Sequence, residues 1–171
     1  RTGRLALEAL VYLAETYPLA TGQMVREAQG DGVDYPFAVA SINVTQQLAR
    51  YLGLTSDGVS GVKGRTAPRK VVRRFARMLI SAERGGGGMD PFGELQAAVM
   101  GCLHAVWRAR KAQNPHLTVM DFAPALQETM DTVHRFCSSS PLRAADEFRG
   151  LSQHTGRGSP NNGAEGTLQD S

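Results

Sequence analysis

A chain of 171 residues, 42% apolar and 20% charged, has room for one globular domain and little space for a second. No window approaches the roughly 18 consecutive apolar residues that a membrane-crossing helix needs, so nothing here spans a bilayer in helical form. The net charge of +3 is modest but uneven: Lys63, Arg65, Arg69, Lys70, Arg73, Arg74, Arg77 and Arg84 are opposed in that stretch by Glu83 alone, a local basic signal.

The chain opens "RTGRLALEALVYLAETYP". Leu7, Leu10, Val11 and Ala14 recur at helical spacing with Glu8 and Glu15 on another face, and Pro18 stops the run. This predicts a first helix packed through Leu7 and Leu10. Acidic residues inside the apolar run argue against a secretory leader in this stretch. A shorter helix around Gly22 to Gln29 ends in the turn composition "GDG". In "YPFAVASINVTQQLARYLGL" Pro36 suits a first helical turn, while Phe37, Val44, Leu48, Tyr51 and Leu52 form a stripe. Val39 and Ile42 add apolar surface on another side, which predicts a central helix, and Gly53 is placed to cap its end.

The polar, turn-rich residues 54–68 read as a loop. "RKVVRRFARMLISAER" then sets Val71, Phe75, Met78 and Ala82 on one helical face, with Arg69, Arg73, Arg74 and Arg77 largely away from it: a basic amphipathic helix over 69–84. Residues 85–89 are a glycine linker, since each glycine costs about 1 kcal/mol in a helix interior. Asp90 and Pro91 together are a strong start signal for a helix carrying Phe92, Leu95, Val99, Cys102, Leu103 and Val106. Thr118 and Asp121 are spaced as a capping box, but Pro124 favours a helix beginning at Asp121, with Phe122, Leu126, Met130, Val133 and Cys137 buried. Residues 139–171 read as a short helix over Pro141 to Gly150, then a tail without order from about Leu151. No β-type alternation persists, so the fold class is all-α: a single bundle of about five to seven helices over 1–138.

Few residues form a catalytic constellation. "SGVKGRT" has the wrong spacing for a phosphate loop and no strand before it. His104, His116, His134 and His154 lack ligand-like spacing, so no metal and no cofactor is expected. Cys102 and Cys137 fall in apolar helical patterns and read as buried, reduced thiols, which suits a cytoplasmic setting. Asn43 heads a formal glycosylation acceptor but lies in the most apolar helix, and Asp121 is better explained as a cap than as a general base. The basic surface of Arg69, Lys70, Arg73, Arg74 and Arg77 reads as a solvated face, or as one turned to an anionic membrane or a protein partner. Nucleic acid is excluded because stacking aromatics are not interleaved with the charges.

Three stretches taken in order, "GRLALEALVYLAETYP", "YPFAVASINVTQQLARYLGL" and "DPFGELQAAVMGCLHAVWRARKAQNPHLTVMDFAPALQETM", resemble the blocks of the ELMO (engulfment and cell motility) domain family. The resemblance runs from about Gly3 to Cys137, interrupted by the unmatched basic and polyglycine region. It implies a helical domain of cytoplasmic proteins that regulate small GTPases; the basic helix over 69–84 allows a peripheral location at membranes. Small members activate GTP hydrolysis by Arf and Arf-like GTPases, whereas larger relatives scaffold complexes with DOCK-type exchange factors. The activators carry an Arg-Gly-x-Gly-x-x-x-Leu-x-x-Leu motif whose arginine assists hydrolysis in trans. Gly3, Leu7 and Leu10 match its second glycine and its leucines without a gap, which sets Arg1 at the first glycine and the catalytic arginine one residue earlier, outside the chain. The alternative makes Arg1 that arginine, with one residue deleted after it. The resemblance makes Leu7 and Leu10 packing residues and Gly3 a position of close approach. Any enzymatic role is activation of a partner GTPase, with no substrate pocket of the chain's own.

Overall fold

The structure, a computed structural model, describes residues 2–30, 33–55, 65–85, 89–140 and 143–154. Every regular element among them is helical: α1 (Thr2–Thr16), α2 (Pro18–Gly30), α3 (Phe37–Tyr51), α4 (Arg69–Arg84), α5 (Pro91–Gln113) and α6 (Phe122–Ser139), with 3₁₀ segments at Val119–Asp121 and Ala145–His154. Nearly all the buried apolar side chains among the described residues form one contiguous cluster. The expected all-α bundle is thus observed. The central part of the 54–68 loop, most of the glycine linker and everything beyond His154, including the tail expected to lack order, lie outside the described residues.

Local chemistry sets the element ends. Asp90 accepts hydrogen bonds from the amides of Phe92 and Gly93, each at 3.0 Å, and Pro91 takes the first helical position, where its missing N–H costs nothing. Gly53 adopts φ +71° after α3, a left-handed turn that glycine makes without strain. There its amide donates to Arg50 O at 3.0 Å and the Leu54 amide to Ala49 O at 2.8 Å. Between α1 and α2 the backbone bonding continues through Tyr17, whose amide donates to Leu13 O at 3.0 Å and whose carbonyl accepts from Thr21 at 2.9 Å. Pro18 therefore bends the helical path without opening it.

The central helix is α5, which packs against α1, α3, α4, α6 and the C-terminal 3₁₀ segment. The expectation of a central α3 is corrected: Val39 is exposed and Ile42 only half-buried, because α3 covers one side of the bundle. On α5 the predicted stripe is wholly buried and is joined by Met100 and Trp107, leaving the helix enclosed on most sides.

The face of α1 is also corrected. Its buried residues are Ala6, Ala9 and Leu13, at 1%, 2% and 1% exposure, whereas Leu7 and Val11 are 61% and 52% exposed; Leu10 is half-buried and Ala14 exposed. The helix is wedged against both α3 and α5, and alanines permit an approach that leucines would block. A heptad-like count of large side chains therefore selects the wrong face. The capping arrangement at α6 departs from expectation as well. Thr118 and Asp121 form a reciprocal box around the short 3₁₀ turn, with the Thr118 amide donating to Asp121 Oδ2 at 2.9 Å, so the Asp121 carboxylate faces backwards and makes no cap bond to α6. Order also persists past Leu151, which is fully buried together with Phe148, because these two apolar residues of the 3₁₀ segment fill the side of the core where Phe75 and Phe136 lie.

Among the described glycines the tightest position is Gly93, where a β-carbon would overlap the Tyr12 ring. Gly93→Ala is expected to lower stability by about 2 kcal/mol through overpacking, despite the gain in helix propensity of about 1 kcal/mol. Denaturant unfolding measures this, and a stabilised variant would show that the α1–α5 contact is loose.

Candidate functional site

The predicted motif residues lie on the outer side of α1. Arg1 lies outside the described residues. Gly3 is exposed and nothing comes within 4 Å of a β-carbon built there, so it is no point of close approach, in contrast to Gly93. Leu7 and Val11, one turn apart, form an exposed apolar strip with Leu10 beside it, and Arg4 pairs with Glu8 at 2.7 Å in full solvent, where such a pair contributes little. Of the motif's leucines, Leu7 is therefore a surface residue and Leu10 half-buried at the edge of the strip, and neither belongs to the core cluster.

What fixes α1 in that orientation is a buried carboxylate whose role its apolar sequence neighbours do not announce. Glu94 is 2% exposed. It accepts the Tyr12 hydroxyl at 2.7 Å, and the Tyr17 hydroxyl lies 2.6 and 2.7 Å from its two oxygens. Arg149 Nε stands 3.6 Å away and its guanidinium lies over the Tyr17 ring, 5.8 Å from the centroid. A charge removed from water must be compensated by such partners. Burial, then the bond to Glu94, push both tyrosine hydroxyls above their ordinary range, so they remain protonated donors. The available signal was a carboxylate set between Phe92 and Leu95 on an otherwise apolar face.

A cavity of about 320 Å³ lies alongside, walled by Leu13, Tyr17, Met24, Ala98, Glu94 and His104. Its polar groups are already bonded within the fold. His104 accepts the Tyr35 hydroxyl at Nδ1 (3.0 Å) and donates from Nε2 to Glu27 (3.0 Å), the tautomer that satisfies both contacts. Arg108 Nε lies 3.3 Å from the same Glu27 oxygen. Tyr35 also packs on Trp107 and Phe122, at 6.3 and 6.2 Å between ring centroids, and the Trp107 indole donates to Val33 O. Cys102 and Cys137 are free and buried; burial pushes each thiol up to about 12, so they are poor nucleophiles. Among the described residues no three His, Cys, Asp or Glu side chains gather as a metal site, and no helix is long and apolar enough to cross a membrane.

The basic residues of α4 divide into two sets. Val71, Phe75 and Met78 are buried. Lys70 donates to Ser138 O at 3.0 Å and Arg74 to Ser140 O at 3.1 Å, placing cations on the unpaired carbonyls that end α6. Arg69, Arg73 and Arg77 are exposed. Beside Arg74 and Arg77 an open groove of about 890 Å³ runs between α4 and the C-terminal 3₁₀ segment.

The Glu27 carboxyl is held below its ordinary 4.5 by hydrogen bonds from Gln23, then His104, with Arg108 adding charge attraction. A depressed folded value means that this stabilisation is present above 4.5 and disappears as pH falls through the folded value. Unfolding free energy measured against pH should therefore decline more steeply below 4.5 in the natural chain than in Glu27→Gln; parallel curves would show that the cluster adds nothing.

The model of the ELMO/CED-12 family matches residues 1–126. No curated protein and no solved structure matches the chain significantly. Because the family match takes in α1 to α5 and the start of α6, well over half of the sequence, the chain belongs to the ELMO/CED-12 family, whose setting is small-GTPase signalling.

Proposed function

We propose that the chain contacts an Arf or Arf-like small GTPase through the outer face of α1 and accelerates GTP hydrolysis with an arginine at the head of that helix, Arg1 or a residue directly ahead of it. The observation that carries the reading is the exposed Leu7–Val11 strip on the helix that continues from that end. Adjacent exposed apolar side chains on one helix face supply apolar area that a partner can cover. A guanidinium delivered next to the γ-phosphate offsets charge developing on the transferring group and accounts for about 10³ to 10⁵ in rate where such fingers operate. No nucleotide pocket is needed in the activator. The exposed arginines of α4 support a second contact, with the anionic face of a cytoplasmic membrane, each such charge contributing about 1 kcal/mol near the surface.

The test measures GTP hydrolysis by a panel of loaded Arf and Arf-like GTPases with this chain and with a version carrying an added arginine ahead of Arg1. One of the two should accelerate at least one GTPase, and Leu7→Asp with Val11→Asp should reduce that acceleration at least roughly tenfold with unchanged melting. No acceleration of any member by either version would end the activator reading. Binding through the same face without acceleration would instead favour a non-catalytic scaffold working with an exchange factor.

A further inference from the structure

The groove beside α4 has an unusual lining. Arg74, Arg77, Arg143 and Arg149 converge on it against a single carboxylate, Asp146, with Met89 at its edge. Two of these arginines are pre-positioned by the fold: Arg74 by its bond to Ser140 O, Arg149 by Tyr17 and Glu94. Arg77 and Arg143 are exposed and form no ion pair among the described residues, and the Arg143 backbone is tied by its amide to Glu147 Oε1 at 3.1 Å. Arg149 is already matched by Glu94, so the cationic excess along the groove is carried by Arg74, Arg77 and Arg143, which form no ion pair with the lining carboxylate Asp146 and for which a polyanion supplies partners. All four are arginine rather than lysine, the side chain whose planar fork meets phosphate oxygens in pairs. At about 890 Å³ the groove is far larger than one phosphate and falls in the usual range for small-molecule sites, about 300–1,000 Å³.

We propose that this groove binds the headgroup of a multiply phosphorylated inositol lipid, held in a membrane. The lipid source is favoured by what surrounds the groove. Met89, at the groove's edge, is 39% exposed, and Ile80, on the exposed basic face of α4 rather than in the groove lining, is 48% exposed; both are apolar side chains that can enter the acyl boundary. Arg69, Arg73 and Arg84 continue the exposed basic stripe along α4. The inference rests on the reading of α4 as a membrane-facing helix and adds to it a defined site and a ligand class.

Co-sedimentation of the whole chain with phosphatidylcholine vesicles tests both, using one set that contains phosphatidylinositol bisphosphate and one that contains phosphatidylserine at matched charge. The bisphosphate vesicles should bind at least roughly tenfold more tightly. Soluble inositol trisphosphate should compete. Arg77→Glu with Arg143→Glu should abolish the preference, while Arg26→Glu with Arg135→Glu, an equal charge change elsewhere, should retain it. Equal binding to the two vesicle types, or a groove variant that folds and binds like the natural chain, overturns the site but leaves the membrane-facing helix standing. Retention on neither vesicle, with no binding of the trisphosphate either, overturns both. If the trisphosphate binds while no vesicle does, the lipid source is wrong. The competition experiment on the natural chain decides the matter even if the groove variant fails to fold.

Discussion

One buried carboxylate sets the geometry on which the rest depends. Glu94 sits in the first turn of α5 and draws in hydroxyls from Tyr12 on α1 and from Tyr17 at the α1–α2 bend, with Arg149 of the 3₁₀ segment at its outer side. Removing a carboxylate from water is costly, and breaking such a cluster by deleting one partner costs several kcal/mol. The cluster therefore admits few alternative packings. Next to it Gly93 lets the Tyr12 ring lie flush on the α5 backbone, so the polar anchor and the close contact reinforce each other.

The remainder of α5 repeats this device. Gln96 donates to Ser41 of α3 at 2.9 Å, His104 joins Tyr35 to Glu27 of α2, Trp107 reaches Val33 O, and Arg110 forms two bonds to Glu128 of α6, at 3.0 and 2.8 Å. Apart from α4, whose polar bonds go to the end of α6, the neighbours are each keyed to the central helix by a different polar side chain. Apolar burial supplies most of the stability, but it is non-directional; hydrogen bonds of this kind specify which helix lies where and in what rotation. The rotation of α1 is the one on which the proposed GTPase contact depends, because it buries the alanine side and leaves Leu7 and Val11 in solvent.

The all-helical class, most helix boundaries and the interior of α5 were legible from periodicity and from the Asp90–Pro91 start, because those signals are local. The buried side of α1 was not. Periodicity ranks side chains by size, whereas a helix wedged between two others selects for smallness, so Ala6 and Ala9 carried the information and Leu7 did not. The two roles within the basic helix were equally hidden: nothing near Lys70 or Arg74 in sequence reveals the α6 carbonyls that they meet. Leu151 followed the same logic, its polar surroundings suggesting an unordered tail although two apolar residues suffice to dock the segment. Gly3 shows the limit of reading a motif by analogy, since the glycine that permits close approach is Gly93, which no motif marked.

The central claim is that the outer face of α1, made available by the Glu94 anchor, is where a GTPase meets this chain. The most direct measurement is amide hydrogen exchange on the chain with and without an Arf-like GTPase locked in its GTP-bound form. Protection concentrated over Gly3 to Ala14, with α5 unchanged, is the predicted result. Protection confined to other elements, with α1 exchanging as in the free chain, would contradict the account.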